Sequence, residues 1–396
     1  MSSGREVVVL SGVRTAIGDY GGGLKDMAPT ELSAQVIKEA VKRAKVDAKE
    51  VGACVIGNVI HTEAKDMYFS RVAALNGGLS DDSTALTVNR LCGSGMQAIV
   101  SASQMIMLGD TDVAVGGGAE SMSRGGYLMP TLRWGQRMSD SSVVDMMVGA
   151  LTDPFDTVHM GLTAEAIAEK WKISREQQDE FSVESHRRAI NAIEKGYFKD
   201  QILPIEMKTR KGTTVFDRDE HPRADASLEG MAKLRAAFKK DGSVTAGNAS
   251  GINDGAAAVV LMERAAAEKK GLKPIARLVS YGIAGVDPKI MGIGPVPASK
   301  KALEKAGLKV EQMDVIESNE AFAVQALAVS CDLKLDPKKT NPNGGAVGLG
   351  HPIGATGAVL TVKALYELQR TGGRYALVTM CIGGGQGIAA VFERLN

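Results

Sequence analysis

Two cysteines, a histidine and an asparagine stand on turns that follow strand-like runs, where side chains could do covalent and proton-transfer chemistry. Cys92 lies in Thr87-Val88-Asn89-Arg90-Leu91-Cys92-Gly93-Ser94-Gly95-Met96. The β-branched run ends at Val88, glycines permit a tight turn, and a helical pattern runs from Met96 to Leu108. A thiol at a helix start meets free N–H groups and the positive dipole end, which favour an anion. The same N–H groups could hold a developing oxyanion. Taken alone, Cys92 is equally readable as a buried thiol behaving as a small hydrophobe. Asn319, in Ser318-Asn319-Glu320-Ala321-Phe322-Ala323, could cap a helix or donate to a substrate. His351 stands between glycines in Asn343 to Gly354, just before a proline that restricts it. That placement suits acid–base work better than an ordinary loop histidine does. Cys381 ends a strand-like run and is followed by Ile382-Gly383-Gly384-Gly385-Gln386-Gly387. The glycine run could pass for a dinucleotide loop, but no ordinary helix or later acidic residue follows it. One thiolate could be a nucleophile activated by His351, and the other could move a proton.

The elements that must place these residues alternate. Strands are expected at Val7–Leu10, Ala53–Val59, Thr84–Val88 and Val113–Val115, the last ending in Gly116-Gly117-Gly118. Helices are expected at Thr30–Ala44, with Thr30 as N-cap, at Asp66–Leu75 and after Cys92. The last third repeats the pattern. Strands fall at Ile275–Val279, Asp314–Glu317 and Tyr375–Met380, and helices at Pro297–Ala306, Glu320–Leu333 and Thr356–Gln369. Each half finishes as helix, buried strand and triple glycine, which reads as an internal duplication. Such alternation predicts an α/β fold with a mainly parallel, helix-covered sheet. Residues 121–247 differ, being richer in Met, Arg, Asp and Lys. They hold helices at Thr163–Trp171 and Arg175–Lys195, the second opened by a Ser174/Gln177 capping box. The segment Gly125 to Val144, with Met129, Trp134 and Met138, reads as an arm between subunits or a loop.

Composition limits the partners. The 396 residues suffice for two or three domains. A formal charge of +1 gives no global attraction to nucleic acid or an anionic membrane. The 46 glycines are clustered without a matching excess of proline or serine, so they mark turns and backbone-lined pockets rather than disorder. The cysteines, Cys54, Cys92, Cys331 and Cys381, include no CxxC pair, so no zinc or other metal site is expected. No signal peptide, membrane-length apolar run or peroxisomal address is read, and a reducing cytoplasm is the expected location.

Four blocks resemble the signature blocks of thiolases, in the family's order. They are Asn89-Arg90-Leu91-Cys92-Gly93-Ser94-Gly95, Asn319-Glu320-Ala321-Phe322-Ala323, Gly350-His351-Pro352-Ile353-Gly354-Ala355-Thr356-Gly357 and Cys381-Ile382-Gly383-Gly384-Gly385. The likeness is to the bacterial acetoacetyl-CoA and β-ketothiolase type and covers essentially the whole chain. It implies a duplicated βαβαβαββ core in five layers, α-β-α-β-α, with an inserted loop domain. The halves would be 1–121 plus 253–274 and 275–396, with 122–252 inserted. It implies Cys92 as acyl acceptor, His351 as its activator and Cys381 as the acid–base at the α-carbon. Asn319, through a water, and His351 would form one oxyanion hole, and the N–H groups of Cys92 and Gly383 the other. The activity implied is reversible condensation of acetyl-CoA with acetyl-CoA or a short acyl-CoA, and thiolysis in reverse, without a cofactor. Coenzyme A is substrate and product, and a homotetramer, a dimer of dimers, is the implied assembly. The coenzyme and acyl sites would involve Leu151, His159, Met160, Arg223, Met231, Ala237, Phe238, Ala246, Ala249, Ser250, Gly251, Met291, Ala321 and Phe322. Without the resemblance, His159 reads as a structural histidine and Arg223 as a solvated charge. Leu91, Met160, Met291 and Phe322 would set acyl length. Departures from the family pattern occur at Gly125-Gly126, Gly230 and Ser318. The rivals are a ketoacyl-synthase-type condensing enzyme, disfavoured by the second cysteine, and a non-catalytic acyl-CoA-binding relative.

Overall fold

The computed structural model describes residues 4–209 and 212–395. Met1 to Ser3 and Asn396, at the chain ends read above for address signals, lie outside the described residues, as do Arg210 and Lys211. The first half runs β1 (Val7–Thr15), α1 (Pro29–Ala44), β2 (Ala53–Gly57), α2 (Phe69–Asn76), β3 (Thr84–Val88), α3 (Ser94–Leu108) and β4 (Val113–Ser121). An inserted stretch holds α4 (Met160–Trp171) and α5 (Arg175–Glu194). The strand β5 (Asn253–Glu263) then returns to the first half. The second half follows as β6 (Ala276–Gly285), α6 (Pro295–Ala306), β7 (Val315–Ser318), α7 (Ala323–Leu333), α8 (Ile353–Thr371), β8 (Tyr375–Ile382) and β9 (Gln386–Arg394).

The sheet order is β7-β8-β9-β6-β1-β5-β4-β2-β3. Read outward from the β1–β6 junction, the halves run alike: β1, β5, β4, β2, β3 on one side and β6, β9, β8, β7 on the other. Where β3 closes the first half, the second has only an isolated bridge between Ile316 and Thr340. The expectation of a mainly parallel sheet is corrected. The pairs β4–β2, β2–β3 and β7–β8 are parallel, but the centre of the sheet is antiparallel throughout. The reason lies in two strands absent from the sequence reading, β5 and β9. Each returns directly beside the strand it pairs with, and each is buried along almost its whole length, so it shows no alternation.

Helices α1 and α2 cover the outer face of the first half, and α6, beside α7, covers that of the second. Helices α3 and α8 pack on each other and touch strands of both halves. They form the central layer of an α-β-α-β-α stack. Their approach requires glycine: a Cβ at Gly95 would stand 2.7 Å from Ala358 N. The stretch Leu91–Leu108 is, against expectation, long and apolar enough to pass for a membrane span. It is the helix α3, about half buried, whose apolar face packs against α8 and against strands of both halves.

Boundaries shifted where turn chemistry was misread. Helix α1 is capped at Ala28, with Pro29 in its first turn, so Thr30 is not the N-cap. Residues preceding proline are held extended, which ends the non-helical entry one step earlier. The strand at Val113 runs through the triple glycine to Ser121, and the last strand runs past Cys381 to Ile382. The capping box at Ser174 and Gln177 forms as expected. A buried bidentate pair, Arg14 to Asp219 at 2.7 and 2.9 Å, ties β1 to the inserted stretch.

Candidate active site

Cys92 stands two residues before α3, on a turn held by its own neighbours. The Ser94 hydroxyl donates to Leu91 O at 2.7 Å and accepts from Arg90 N–H at 2.8 Å. Asn89 Oδ1 accepts from Leu91 N–H at 3.0 Å. Leu91 takes φ +44°, a conformation costly for a leucine. Arg90 donates to Gln386 Oε1 at 2.8 Å, linking this turn to the second half. Burial pushes the Cys92 thiol up to about 11. The N–H groups of Gly383 and of Cys92 itself act on the sulfur in the opposite sense. The resting group is therefore a thiol, and any reaction in which it acts as a nucleophile must first take its proton.

His351 stands two residues before α8. Gly350 before it has φ +102°, and a Cβ there would lie 2.5 Å from Asn253 Cγ. Asn253 Oδ1 in turn accepts from His351 N–H at 2.8 Å. The ring's Nδ1 lies 2.6 Å from Thr356 Oγ1, and that hydroxyl donates to Pro352 O at 2.9 Å. A hydroxyl has one proton, so Nδ1–H is the donor to Thr356 and Nε2 carries the free lone pair. Burial lowers the imidazole pKa to about 4, which keeps the ring neutral near pH 7. Asn319 Nδ2 lies 3.5 Å from Nε2, a long contact that leaves the lone pair largely free.

Asn319 is the first residue after β7. Its N–H donates to Thr379 O at 2.9 Å, and it caps no helix, since Phe322 is the N-cap of α7. Its Oδ1 is buried without a protein partner. Cys381 lies inside β8, paired with Gly387 and fully buried. Burial and the neighbouring Cys92 push its thiol well above the ordinary range.

A cavity of about 400 Å³ opens over this group. Its walls include Cys92, His351 and Gly383 with Leu91, Leu151, His159, Met160, Ala237, Phe238, Ala246, Ala249, Ser250, Gly251, Met291, Ala321 and Phe322. Asn319 and Cys381 are not among its lining residues. His159 stacks on Phe238 at 4.6 Å, and its Nδ1 accepts from Gly161 N–H at the start of α4. Arg223 and Met231 lie apart, in an adjoining, more polar pocket of about 390 Å³ that shares Ala246 and Ala249. His186, His221, Asp225 and Gly230 also line it. Four apolar wall residues went unread: Met122, Ala150, Ile252 and Ile353. Ile353 lies inside a quoted block, Ile252 follows Gly251 and Ala150 precedes Leu151, so adjacency to named residues was the available signal for these three. Met122 carries none, because it reaches the site from outside the blocks.

Of the departures, Gly230 donates its N–H to Ser227 Oγ at 3.2 Å, and Ser318 donates its N–H to Asn341 Oδ1 at 2.9 Å. Gly125-Gly126 lead into a short ladder between Tyr127–Leu128 and Val144–Asp145.

Comparison with known proteins agrees with this geometry. The family described as thiolase, N-terminal domain, matches residues 7–265, and thiolase, C-terminal domain, matches residues 272–394. The chain belongs to the thiolase family. The beta-ketothiolase BktB of Cupriavidus necator is 68% identical to this thiolase over 392 residues, covering 99% of this chain and 100% of the relative. The crystal structure of the Bacillus anthracis acetyl-CoA acetyltransferase superposes with a TM-score of 0.98 at 49% identity, covering all of both chains. The human mitochondrial 3-ketoacyl-CoA thiolase, solved in complex with CoA, superposes with a TM-score of 0.96 at 45% identity, covering 99% of this chain and 98% of that one.

Proposed function

We propose that this thiolase cleaves short 3-ketoacyl-CoA thioesters with coenzyme A, and runs the reverse condensation, through an acyl-Cys92 intermediate. One observation carries the reading. Cys92, His351 and Gly383 line one apolar cavity, the Gly383 N–H acts on the Cys92 sulfur, Asn319 Nδ2 lies 3.5 Å from His351 Nε2, and Cys381 neighbours Cys92. In cleavage, Cys92 Sγ attacks the 3-keto carbon and its proton passes to His351 Nε2. The oxyanion forms against the N–H groups of Cys92 and Gly383. The C2–C3 bond breaks, and its electron pair becomes the enolate of acetyl-CoA, whose oxygen faces Asn319 and His351. The Cys381 S–H protonates C2. After acetyl-CoA leaves, the Cys381 thiolate takes the proton of incoming coenzyme A as its sulfur displaces Cys92, and the proton held on His351 Nε2 returns to the Cys92 sulfur. One thioester replaces another, and both cysteines return as thiols.

The apolar cavity accounts for the pantetheine arm and acyl chain, and the polar pocket with Arg223 for the phosphorylated end of the coenzyme. Four flexible or branched walls at the acyl end, Leu91, Met160, Met291 and Phe322, support chains longer than acetyl. The name of the 68% identical relative supports the same breadth. We further assign the enzyme no resident metal or cofactor, a cytoplasmic location and a homotetrameric state. What supports assembly is the Gly125 to Val144 arm, where Trp134 is 90% exposed, with Met138 and Leu132 nearby.

Thiolysis of acetoacetyl-CoA and 3-ketovaleryl-CoA, measured side by side with free coenzyme A, tests the reading. Cleavage of both is expected. Cleavage of acetoacetyl-CoA alone narrows the substrate range. A folded protein that binds coenzyme A but cleaves neither, and whose Cys92 takes no acyl group, overturns the catalytic reading in favour of a binding relative.

A further inference from the structure

Glu120 is the penultimate residue of β4, fully buried, and the chemistry above makes no use of it. Its two oxygens accept four N–H groups. Oε1 takes Asn58 Nδ2–H at 3.1 Å and Ile60 N–H at 3.0 Å; Oε2 takes Val59 N–H at 3.2 Å and Gly354 N–H at 2.8 Å. The first three donors belong to the loop after β2, in the half that carries Cys92. The fourth belongs to the first turn of α8, three residues past His351, in the other half. The N-cap of α8 is Pro352, which has no side-chain acceptor to offer. Glu120 therefore caps α8 from 234 residues away in the chain. Its surroundings touch the nucleophile as well, since Ile60, Met122 and Ile353 form the small apolar cluster against which Cys92 packs.

We propose that Glu120 is a positioning residue that locks the Asn58–Ile60 loop to the start of α8 and so fixes the His351 turn relative to Cys92. The proposal rests on the assignment of Cys92 and His351 made above and deepens it. The carboxyl oxygens receive these four N–H groups whether or not Glu120 is ionised, and once it ionises, above about 8, the bonds become the stronger charge-assisted kind and its charge is favourable at a helix N-terminus. Removing the acceptor would leave buried donors unpaired. The titratable neighbours are Asp254, which together with burial pushes Glu120 up to about 8, and Cys92, whose thiol the Glu120 charge pushes upward.

The test is Glu120→Gln. The amide keeps the size, but its NH₂ faces N–H groups it cannot accept. We expect kcat to fall about 10- to 100-fold, with KM for acetoacetyl-CoA within about twofold, because the geometry and not the binding surface is disturbed. In the resting enzyme, the pH midpoint for alkylation of Cys92 by iodoacetamide should move down, since a negative neighbour is gone. A purely structural residue would lower Tm without moving that midpoint. Glu120→Asp keeps the charge but cannot span both halves, so kcat should fall while the midpoint stays. If Glu120→Gln fails to fold, Asn58→Ala removes one donor from the same carboxylate and should lower kcat severalfold at unchanged KM. Wild-type kcat and midpoint in the folded variants overturn the proposal. Mass mapping of the alkylated thiol in the wild type separates the two readings: a label away from Cys92 sinks the nucleophile assignment instead.

Discussion

The two halves of the core share a plan and divide the chemistry. Cys92 stands two residues before α3, and His351 stands two residues before α8, so the proposed nucleophile and base occupy the same station in each half. Strand register gives two further equivalences. Ala53 pairs with Ala114 as Val315 pairs with Ala376, which sets Gly57 against Asn319 and Ala119 against Cys381. At both stations the second half carries a functional group and the first carries a residue with no polar side chain. The halves meet face to face through α3 and α8, so the residues ahead of both helices converge. On the proposed reading one half supplies the attacking sulfur, and the other supplies the base, the enolate partner and the second thiol. Duplication gave the geometry, and substitution at matched stations made the site asymmetric. An asymmetric site is what a reaction with a covalent step and a separate proton transfer needs.

The comparison breaks most completely at its first station. Cys92→Ala should abolish both acyl labelling by a thioester and turnover, a loss of about 10⁴-fold or more in kcat. Persistence of the label, read by mass spectrometry of the acylated protein, would mean that another thiol is the acceptor. His351→Ala, at the matched station, should lower kcat by about 10²- to 10⁴-fold, since a general base and an enolate partner are both removed. Cys381→Ala sharpens the division. Acylation of Cys92 should continue while exchange of the acetyl-CoA α-proton with deuterated solvent stops. If exchange goes on, some other group deprotonates the α-carbon.

The blocks around Cys92, Asn319, His351 and Cys381 were legible because turn chemistry is local: a glycine, a proline and a polar residue at a strand end are all within a few positions. The duplication was legible for the same reason. The antiparallel centre was not, because β5 is an alanine-rich run with no alternation to betray it, and β9 follows glycines that looked like a loop. The role of Glu120 was also hidden. Its donors come from Asn58 to Ile60 and from Gly354, and no spacing in the sequence brings those segments together. The polar pocket shows the limit in another way. His186 lines it from the interior of α5, where periodicity marks the residue only as part of a helix face.

A smaller effect tests the electrostatics of the second half. Burial holds the His351 imidazole near 4, well below its ordinary value of 6.5. Between those values the unfolded chain binds a proton that the folded chain does not. Stability carried by this group is therefore lost as pH falls from about 6.5 toward 4, and is fully kept above that window. If the neutral ring is the base, as proposed, activity follows the same sign. The pH profile of kcat/KM for thiolysis should show no acid limb near 6.5, and any fall should come closer to 4 or with unfolding. An acid limb at 6.5 in a protein that circular dichroism shows to be folded would mean the ring is more solvated than its burial indicates.

The smallest effect is expected at Arg223, outside both halves of the catalytic group. It lies in the polar pocket, and its own N–H donates to His186 Nδ1 at 3.2 Å, so its backbone is held independently of any ligand. Its guanidinium would meet the phosphorylated end of the coenzyme equally in ground and transition states. Arg223→Ala should therefore raise KM for coenzyme A about 3- to 10-fold and leave kcat unchanged, and added salt should narrow the gap between variant and wild type. A fall in kcat at saturating coenzyme would place Arg223 in the positioning of the thioester rather than in uniform binding. The polar pocket would then have to be counted with the chemistry of the two halves.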